Sequence, residues 1–135
     1  MKIIGVGIDL VEISRIRLAM RRSGHELINE LLNPEEQKVG RDVISSPIYL
    51  AGRLAAKEAV VKAMGTGFNG FHWREIELVE DNMNRVLARF KGRAIEISER
   101  YYISACFIRI STTDAIAIAI AIAIQKSTEE CQSPV

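Results

Sequence analysis

Two carboxylates in this sequence have the surroundings expected of metal-assisted phosphate chemistry. Asp9 follows the apolar run 3–8, which predicts a buried strand with Asp9 at its C-terminal end, where a carboxylate can meet solvent. Glu58 lies inside an alanine-rich segment of helical character, and a carboxylate in such surroundings needs a partner. Two carboxylates together with substrate phosphates are the usual ligands of Mg2+. The sequence therefore indicates a candidate Mg2+ site formed by Asp9 and Glu58.

Simpler structural roles stay open for both residues. Asp9 can cap the helix that follows its strand. Glu58 precedes Lys62 by four residues, in the order that favours a salt bridge along a helix. Taken alone, the salt bridge is the more frequent arrangement for such a pair.

Three cations on the same predicted helix suit an anionic, phosphate-rich ligand. They are Arg53, Lys57 and Lys62, and the helix is followed by a glycine-containing loop, Gly65-Thr66-Gly67. Backbone N–H groups of such a loop can approach a phosphate, although this short motif is a weak signal by itself. The alternative is a helix face that is merely solvated.

The first predicted helix carries a second basic surface. Its buried side is predicted at Ile13, Ile16 and Met20. The opposite arc holds four arginines and one apolar residue: Arg15, Arg17, Leu18, Arg21 and Arg22. This combination is typical of a surface that docks an acidic partner helix, and the alternative is again a solvated face.

The order of the predicted elements favours an α+β fold in which a long helix packs on a mainly antiparallel sheet. Strands are predicted at 3–8, 76–79, 86–90, 108–111 and 115–124, and helices at 12–22, 26–32, 49–64 and 94–100, with a further helix start at Asn33 and a loop at 41–47. The last strand alternates strictly between Ala and Ile. We expect its Ile face in the core and its Ala face closely covered.

Length and composition indicate a single domain over residues 1–125, followed by a frayed tail at 126–135. The formal net charge of +1 indicates neither a nucleic-acid partner nor a membrane surface, and the apolar runs are too short for a membrane helix. Two cysteines, Cys106 and Cys131, form no disulfide framework, so a cytoplasmic location is expected.

Two long segments resemble a known family. GVGIDLVEISRI at the start and YLAGRLAAKEAVVKAMGTGF around Glu58 are similar to the two signatures of the holo-[acyl-carrier-protein] synthases, the small bacterial class of the 4′-phosphopantetheinyl transferase superfamily. LLNPEE and WREIE extend the resemblance, which covers about residues 1–125. It implies an α+β fold and transfer of 4′-phosphopantetheine from coenzyme A to a serine of apo acyl carrier protein, with release of adenosine 3′,5′-bisphosphate.

The resemblance also implies roles for particular residues and an assembly. Asp9 and Glu58 match metal-binding carboxylates, Lys62 matches a lysine near the reacting phosphates, and Arg15 and Arg22 match the carrier-docking helix, on which Leu18 also lies. The residues expected to bind coenzyme A are Arg53, Lys57, Lys62, Gly65, Thr66 and Thr112. Catalysis is expected of Asp9, Glu58 and Lys62, with Mg2+ as cofactor and either Glu58 or a metal-bound water as the base. The expected assembly is a homotrimer with active sites between subunits.

Two departures from the family pattern concern the nucleotide. Thr112 stands where many members have a histidine, and Asn84-Arg85-Val86 stands where many have Gly-x-Pro, although Asn84 can adopt the positive φ of a glycine. Two other functions remain possible. A small Mg2+-dependent hydrolase would use the same carboxylates without the arginine surface, and a non-enzymatic module for an acidic protein or RNA would use the arginines without Glu58.

Overall fold

The computed structural model describes residues 1–67 and 70–127 as one antiparallel sheet with helices packed on one of its faces. The elements are β1 Lys2–Glu12, α1 Ile13–Leu31, α2 Pro34–Gln37, α3 Arg41–Ile44, α4 Pro47–Met64, a single helical turn at Trp73–Glu75, β2 Ile76–Glu80, β3 Val86–Phe90, α5 Arg93–Arg100, β4 Ala105–Thr112 and β5 Ile116–Gln125. The five strands lie in the order β1-β5-β4-β3-β2, and every neighbouring pair is antiparallel. The predicted fold class is confirmed.

Local sequence signals explain where the main helices begin and end. Ser46 accepts a hydrogen bond from the Tyr49 amide and Pro47 occupies the first turn of α4, so this helix begins two residues earlier than predicted. It ends at Gly65, whose φ of 75° is left-handed. Helix α1 is interrupted at Ser23, where the sequence predicted a break, but continues afterwards to Leu31.

Two shorter segments were predicted with different success. Asn33 and Glu36 form the predicted capping box at the start of α2. The segment 41–47, which was expected to be a loop, contains the short helix α3 and the first residue of α4.

Helix α4 lies unusually close to β1 and β5. A methyl group added to Gly5 would overlap the carbonyl oxygen of Ala63, and one added to Gly7 would overlap that of Ala59. On β5 the residues facing the helix are alanines, and Ala117, Ala119, Ala121 and Ala123 are fully buried. Small side chains on both elements therefore allow the backbone of α4 to approach the sheet.

This close packing reverses one expectation about the last strand. We expected the Ile face of β5 in the core, but the Ala face occupies it, because only small side chains fit beneath α4. On β1 and β5 the opposite face of the sheet carries the larger apolar residues, and Ile120 is 41% exposed. We call this surface the outer face; its apolar residues are Val6, Ile8, Leu10, Phe107, Ile118, Ile120 and Ile122, and Arg109 and Ser111 lie on it beside Ile120 and Ile118.

Other expectations concern the membrane, the cysteines and the tail. None of the helices in the described parts of the chain combines the length and apolarity required to cross a membrane. Cys106 is buried, and burial raises the pKa of its thiol to about 12, which keeps it neutral. Cys131 and the predicted tail lie outside the described residues, apart from Lys126 and Ser127.

Candidate active site

Asp9 reaches the site from the middle of a strand and not from its end. Strand β1 continues for three residues beyond Asp9, to Glu12, which corrects the predicted boundary. Alternation along the strand places Asp9 on the same face as Gly7, the face covered by α4. The carboxylate therefore points toward the helix that carries Glu58 and Lys62.

Lys62 connects the strand to the helix. Its Nζ lies 2.8 Å from Oδ1 of Asp9 and 3.1 Å from the carbonyl oxygen of Ile8, so it donates to both. Glu58 lies one helical turn earlier and is half-buried. Its Oε1 accepts a hydrogen bond from the indole N–H of Trp73 at 3.2 Å. Lys62 thus forms its ion pair with Asp9, and not with Glu58 as a simple salt bridge along the helix would require.

Electrostatics couples the three side chains. Burial raises the pKa of the Glu58 carboxyl above its ordinary value, and the charge of Asp9 acts in the same direction. The Trp73 hydrogen bond and the Lys62 charge oppose this rise. The hydrogen bond to Asp9 raises the pKa of Lys62, so its ammonium stays protonated at neutral pH.

The donor set of this cluster fits Mg2+. Asp9 and Glu58 offer hard carboxylate oxygens. The described residues contain no group of three or more His, Cys, Asp or Glu side chains that could hold a metal ion, so an ion bound here would have only this pair of protein side chains. A pair of carboxylates leaves the remaining positions of an octahedral ion for water and phosphate oxygens, which is the usual Mg2+ arrangement beside a phosphate substrate. Asp9 and Glu58 are therefore the residues that could hold the ion.

Lys57 does not face this site. It is fully buried, and its Nζ donates to the carbonyl oxygen of Leu31 at 2.5 Å, to Oε1 of Glu36 at 2.7 Å and to the carbonyl oxygen of Trp73 at 3.1 Å. An ammonium has three donors, and all three are used. Burial lowers the pKa of Lys57, and Glu36 opposes that effect. Lys57 thus has no donor left for a ligand, contrary to its predicted role in binding coenzyme A.

A second group of predicted ligand residues lies near the start of α4. Arg53 and Thr112 line a cleft of about 440 Å³ together with Asn84. Arg53 donates to Oε1 of Glu80 at 3.3 Å, and its guanidinium lies 4.7 Å from the centre of the Tyr49 ring. Asn84 has a φ of 57°, as predicted for a residue in the place of a glycine. The cleft combines a cation with hydroxyl and amide groups, which suits an anionic, polar ligand.

The two groups are separated along the helix. Nine residues separate Arg53 from Lys62, which corresponds to about 14 Å of helix axis. Gly65 and Thr66 follow Lys62 at the end of α4, where Gly65 is exposed and Thr66 is half-buried. The structure therefore brings together Asp9, Glu58 and Lys62 near Gly65 and Thr66, and separately Arg53 and Thr112.

The predicted docking residues lie on the open side of α1. Arg15 and Arg22 are exposed, and Leu18 is 47% exposed, while Ile13 and Ile16 are buried as predicted. Within the described residues, neither arginine forms an ion pair. The surface is available for a partner with negative charge.

Comparison with known proteins identifies the family. The family model described as "4'-phosphopantetheinyl transferase superfamily" matches residues 5–121. The chain belongs to this superfamily. It is 35% identical over 128 residues to a holo-[acyl-carrier-protein] synthase of Desulforudis audaxviator, with 95% of this chain and 98% of the relative covered, and 37% identical over 119 residues to one of Alkaliphilus metalliredigens, with 88% and 97% covered. It is an enzyme chain of the holo-[acyl-carrier-protein] synthase type.

Solved structures of the superfamily have the same fold. A holo-ACP-synthase from Plasmodium yoelii superimposes with a TM-score of 0.81 at 27% identity, covering 93% of this chain and 97% of that one. A holo-[acyl-carrier-protein] synthase from Helicobacter pylori, solved in complex with coenzyme A, gives a TM-score of 0.76 at 26% identity, covering 88% and 99%. The sheet and the long helix are thus shared with transferases from distant organisms.

Sequence reasoning missed one member of the site in this transferase chain. Trp73 was noted only as the first residue of the WREIE segment that resembles the family, yet its indole N–H donates a hydrogen bond to Glu58. The two residues are 15 positions apart and belong to different elements, so no helical or strand spacing links them. The only available signal was that Glu58, in apolar surroundings, needed a hydrogen-bond partner.

Proposed function

We propose that this protein transfers the 4′-phosphopantetheine arm of coenzyme A to a serine of an apo acyl carrier protein, with Mg2+ bound by Asp9 and Glu58. One observation carries the proposal: Asp9, Glu58 and Lys62 meet where β1 contacts α4, in a chain whose relatives are holo-[acyl-carrier-protein] synthases. The coenzyme A complex of the Helicobacter pylori relative supports the choice of donor substrate.

The chemistry exchanges one phosphorus–oxygen bond for another. The serine oxygen bonds to the β-phosphorus of coenzyme A while the bond from that phosphorus to the bridging oxygen breaks, which releases adenosine 3′,5′-bisphosphate. Bound Mg2+ supplies charge neutralisation at the pyrophosphate. The protonated Lys62 is placed to stabilise the negative charge of the leaving phosphate. Either the Glu58 carboxylate or a metal-bound water would accept the serine proton.

We also propose that the active protein is a homotrimer, the assembly implied by the family resemblance. Two features support association. The outer face exposes Val6, Ile8, Leu10 and Ile120 beside one another, and contiguous apolar surface of this kind is typical of an interface. The separation of Arg53 and Thr112 from Lys62 is also explained if one coenzyme A contacts Arg53 and Thr112 on one subunit and Lys62 on its neighbour.

The function is tested by incubating the protein with coenzyme A, Mg2+ and apo acyl carrier protein, and weighing the carrier by mass spectrometry. We expect the carrier to gain one phosphopantetheine, and to gain none with Asp9→Ala or Glu58→Ala or when a chelator removes Mg2+. Glu99→Ala, which removes an exposed carboxylate from α5, is the matched control and should stay active. Release of phosphopantetheine into water with an unmodified carrier would instead support the hydrolase, and binding without turnover would support the non-enzymatic module.

The assembly is tested by light scattering at micromolar concentration, where we expect a mass three times the 15.1 kDa of one chain. Ile120→Asp places a charge in the outer face and should dissociate the protein. Glu99→Asp, a substitution at an exposed position of α5, is the control and should leave the mass of the assembly unchanged. A fully active monomer would contradict both the trimer and the shared active site.

A further inference from the structure

Trp73 makes a hydrogen bond that constrains the candidate metal-binding carboxylate. Its indole N–H donates to Oε1 of Glu58 at 3.2 Å, across the gap between the 73–75 turn and α4. A glutamate side chain has three rotatable bonds, and holding it in a single geometry costs conformational entropy each time a ligand binds. Because Trp73 occupies one carboxylate oxygen, the other oxygen is left for a cation or for the substrate.

The position of Trp73 is itself fixed from the interior of the protein. Its carbonyl oxygen accepts a hydrogen bond from Nζ of Lys57 at 3.1 Å, and Lys57 is fully buried and bound to Glu36. Lys57 is the residue directly before Glu58 on α4. The same helical turn therefore carries the carboxylate and the lysine that holds the partner of that carboxylate.

The turn is also closed on its other side. Oε2 of Glu75 accepts a hydrogen bond from the amide of His72 at 2.6 Å, and Oε1 accepts one from the amide of Arg93 at 2.8 Å. The carbonyl oxygen of Glu75 accepts from the amide of Lys91 at 2.8 Å. Trp73 thus belongs to a turn held by side-chain and backbone bonds at both ends, and it is a firm support for a ligand side chain.

We propose that Trp73 is a positioning residue for Glu58: held by Lys57 through its carbonyl group, it orients the Glu58 carboxylate toward the metal and phosphates. This inference rests on the proposed function, since it concerns the same site. Partners that orient a metal ligand typically contribute tenfold to hundredfold in metal affinity or activity. The role is distinct from catalysis, because no reacting atom needs to touch the indole.

The test replaces Trp73 with Phe, which keeps an aromatic ring and removes the N–H donor. With coenzyme A present, we expect the Mg2+ dissociation constant measured by calorimetry to rise by about tenfold or more. We expect kcat to fall by a similar factor while KM for the carrier protein stays within about twofold, because the part of α1 that lines a pocket with Trp73 is its end, at Glu26, Asn29 and Glu30, and not Arg15 or Arg22. Arg74→Ala, an exposed side chain in the same turn, is the matched control and should leave both quantities unchanged.

Fluorescence gives a readout that is independent of activity. Trp73 is the only tryptophan of the chain, so all indole emission comes from it. We expect Glu58→Leu, which removes the acceptor, to shift this emission, and Glu58→Gln, which keeps an oxygen acceptor, to restore most of the wild-type spectrum. If the emission is the same in the wild type and in Glu58→Leu, the indole does not bind the Glu58 carboxylate and the positioning role is wrong.

The outcomes separate this inference from the proposed function. If the wild type modifies the carrier and Trp73→Phe has unchanged Mg2+ affinity and kcat, the positioning role is wrong and the transferase stands. If the wild type does not modify the carrier, the proposed function fails, and the fluorescence of the Glu58 variants still decides whether Trp73 holds this carboxylate. If Trp73→Phe unfolds, the Glu58→Leu and Glu58→Gln spectra decide the question.

Discussion

Lys57 and Lys62 lie five residues apart on the same helix, and the structure gives them opposite environments. Lys57 is fully buried and donates to three oxygens, one of them on Glu36. The Lys62 side chain is 52% exposed and pairs with Asp9 at the edge of the candidate active site. The comparison teaches that a cation on a functional helix can serve the fold or the chemistry, and that its partners and exposure decide which.

The largest expected effect is on stability, at Lys57. Lys57→Met leaves the Glu36 carboxylate, which is only 4% exposed, without its cation in the interior. Breaking a buried pair in this way costs about 3–5 kcal/mol of the free energy of unfolding. Urea denaturation at neutral pH measures the loss.

A second variant checks the cause of that loss. Lys57→Met combined with Glu36→Gln removes the unpaired charge, and it should recover part of the stability. A loss below about 1 kcal/mol in the single variant would mean that the ion pair contributes little to the fold.

The next largest effect is expected on catalysis, at Lys62. Lys62→Met removes a cation that we place at the leaving phosphate, and the loss of one such donor lowers kcat by about 10²–10³-fold. The free energy of unfolding should change by less than about 1 kcal/mol, because exposed ion pairs contribute little. Steady-state kinetics and urea denaturation of the same preparation measure both quantities, and normal turnover would remove Lys62 from the mechanism.

A smaller effect is expected at the arginine surface of α1, where Arg15 and Arg22 form no ion pair within the described residues. Arg15→Glu with Arg22→Glu should raise KM for the carrier by roughly 30-fold, which corresponds to about 2 kcal/mol in total for the two exposed charges together. KM for coenzyme A should stay unchanged. The effect should shrink at high salt, because the Debye length falls from about 10 Å at 0.1 M to about 3 Å at 1 M.

Kinetics with each substrate varied in turn distinguish the alternatives for this surface. Equal losses for both substrates would mean that α1 supports the nucleotide site. No loss for the carrier would mean that the arginines form only a solvated face.

The smallest effect concerns Glu58 and runs in the opposite direction to Lys57. Burial raises the pKa of Glu58 in the folded protein, so its ionisation opposes folding at high pH. Glu58→Gln should therefore be slightly more stable than the wild type above the raised folded pKa. This difference should disappear below the unfolded value of about 4.5, where the wild-type side chain is protonated in both states. Thermal unfolding of both proteins from below pH 4.5 to neutral pH measures this difference in stability. Equal stability of the two proteins at every pH would contradict the raised pKa of Glu58.

Sequence patterns predicted the parts of this protein that depend on neighbours along the chain. The capping box at Asn33 and Glu36 and the stop at Gly65 follow from local hydrogen bonding and backbone conformation. The buried side of α1 follows from helical periodicity. The two long family signatures placed Asp9, Glu58 and Lys62 in one site, and the structure brings these three side chains together.

Tertiary packing alone decided which face of each element lies inside. Alternation along β5 defines an Ala face and an Ile face, but only the close approach of α4 to Gly5 and Gly7 puts the alanines in the core. Helical spacing likewise fixes the angle between Lys57 and Lys62 but not which of them meets Glu36 and which meets Asp9. The physical reason is the same in both cases: a repeat along the chain specifies relative directions, whereas burial depends on atoms that the fold brings from distant positions.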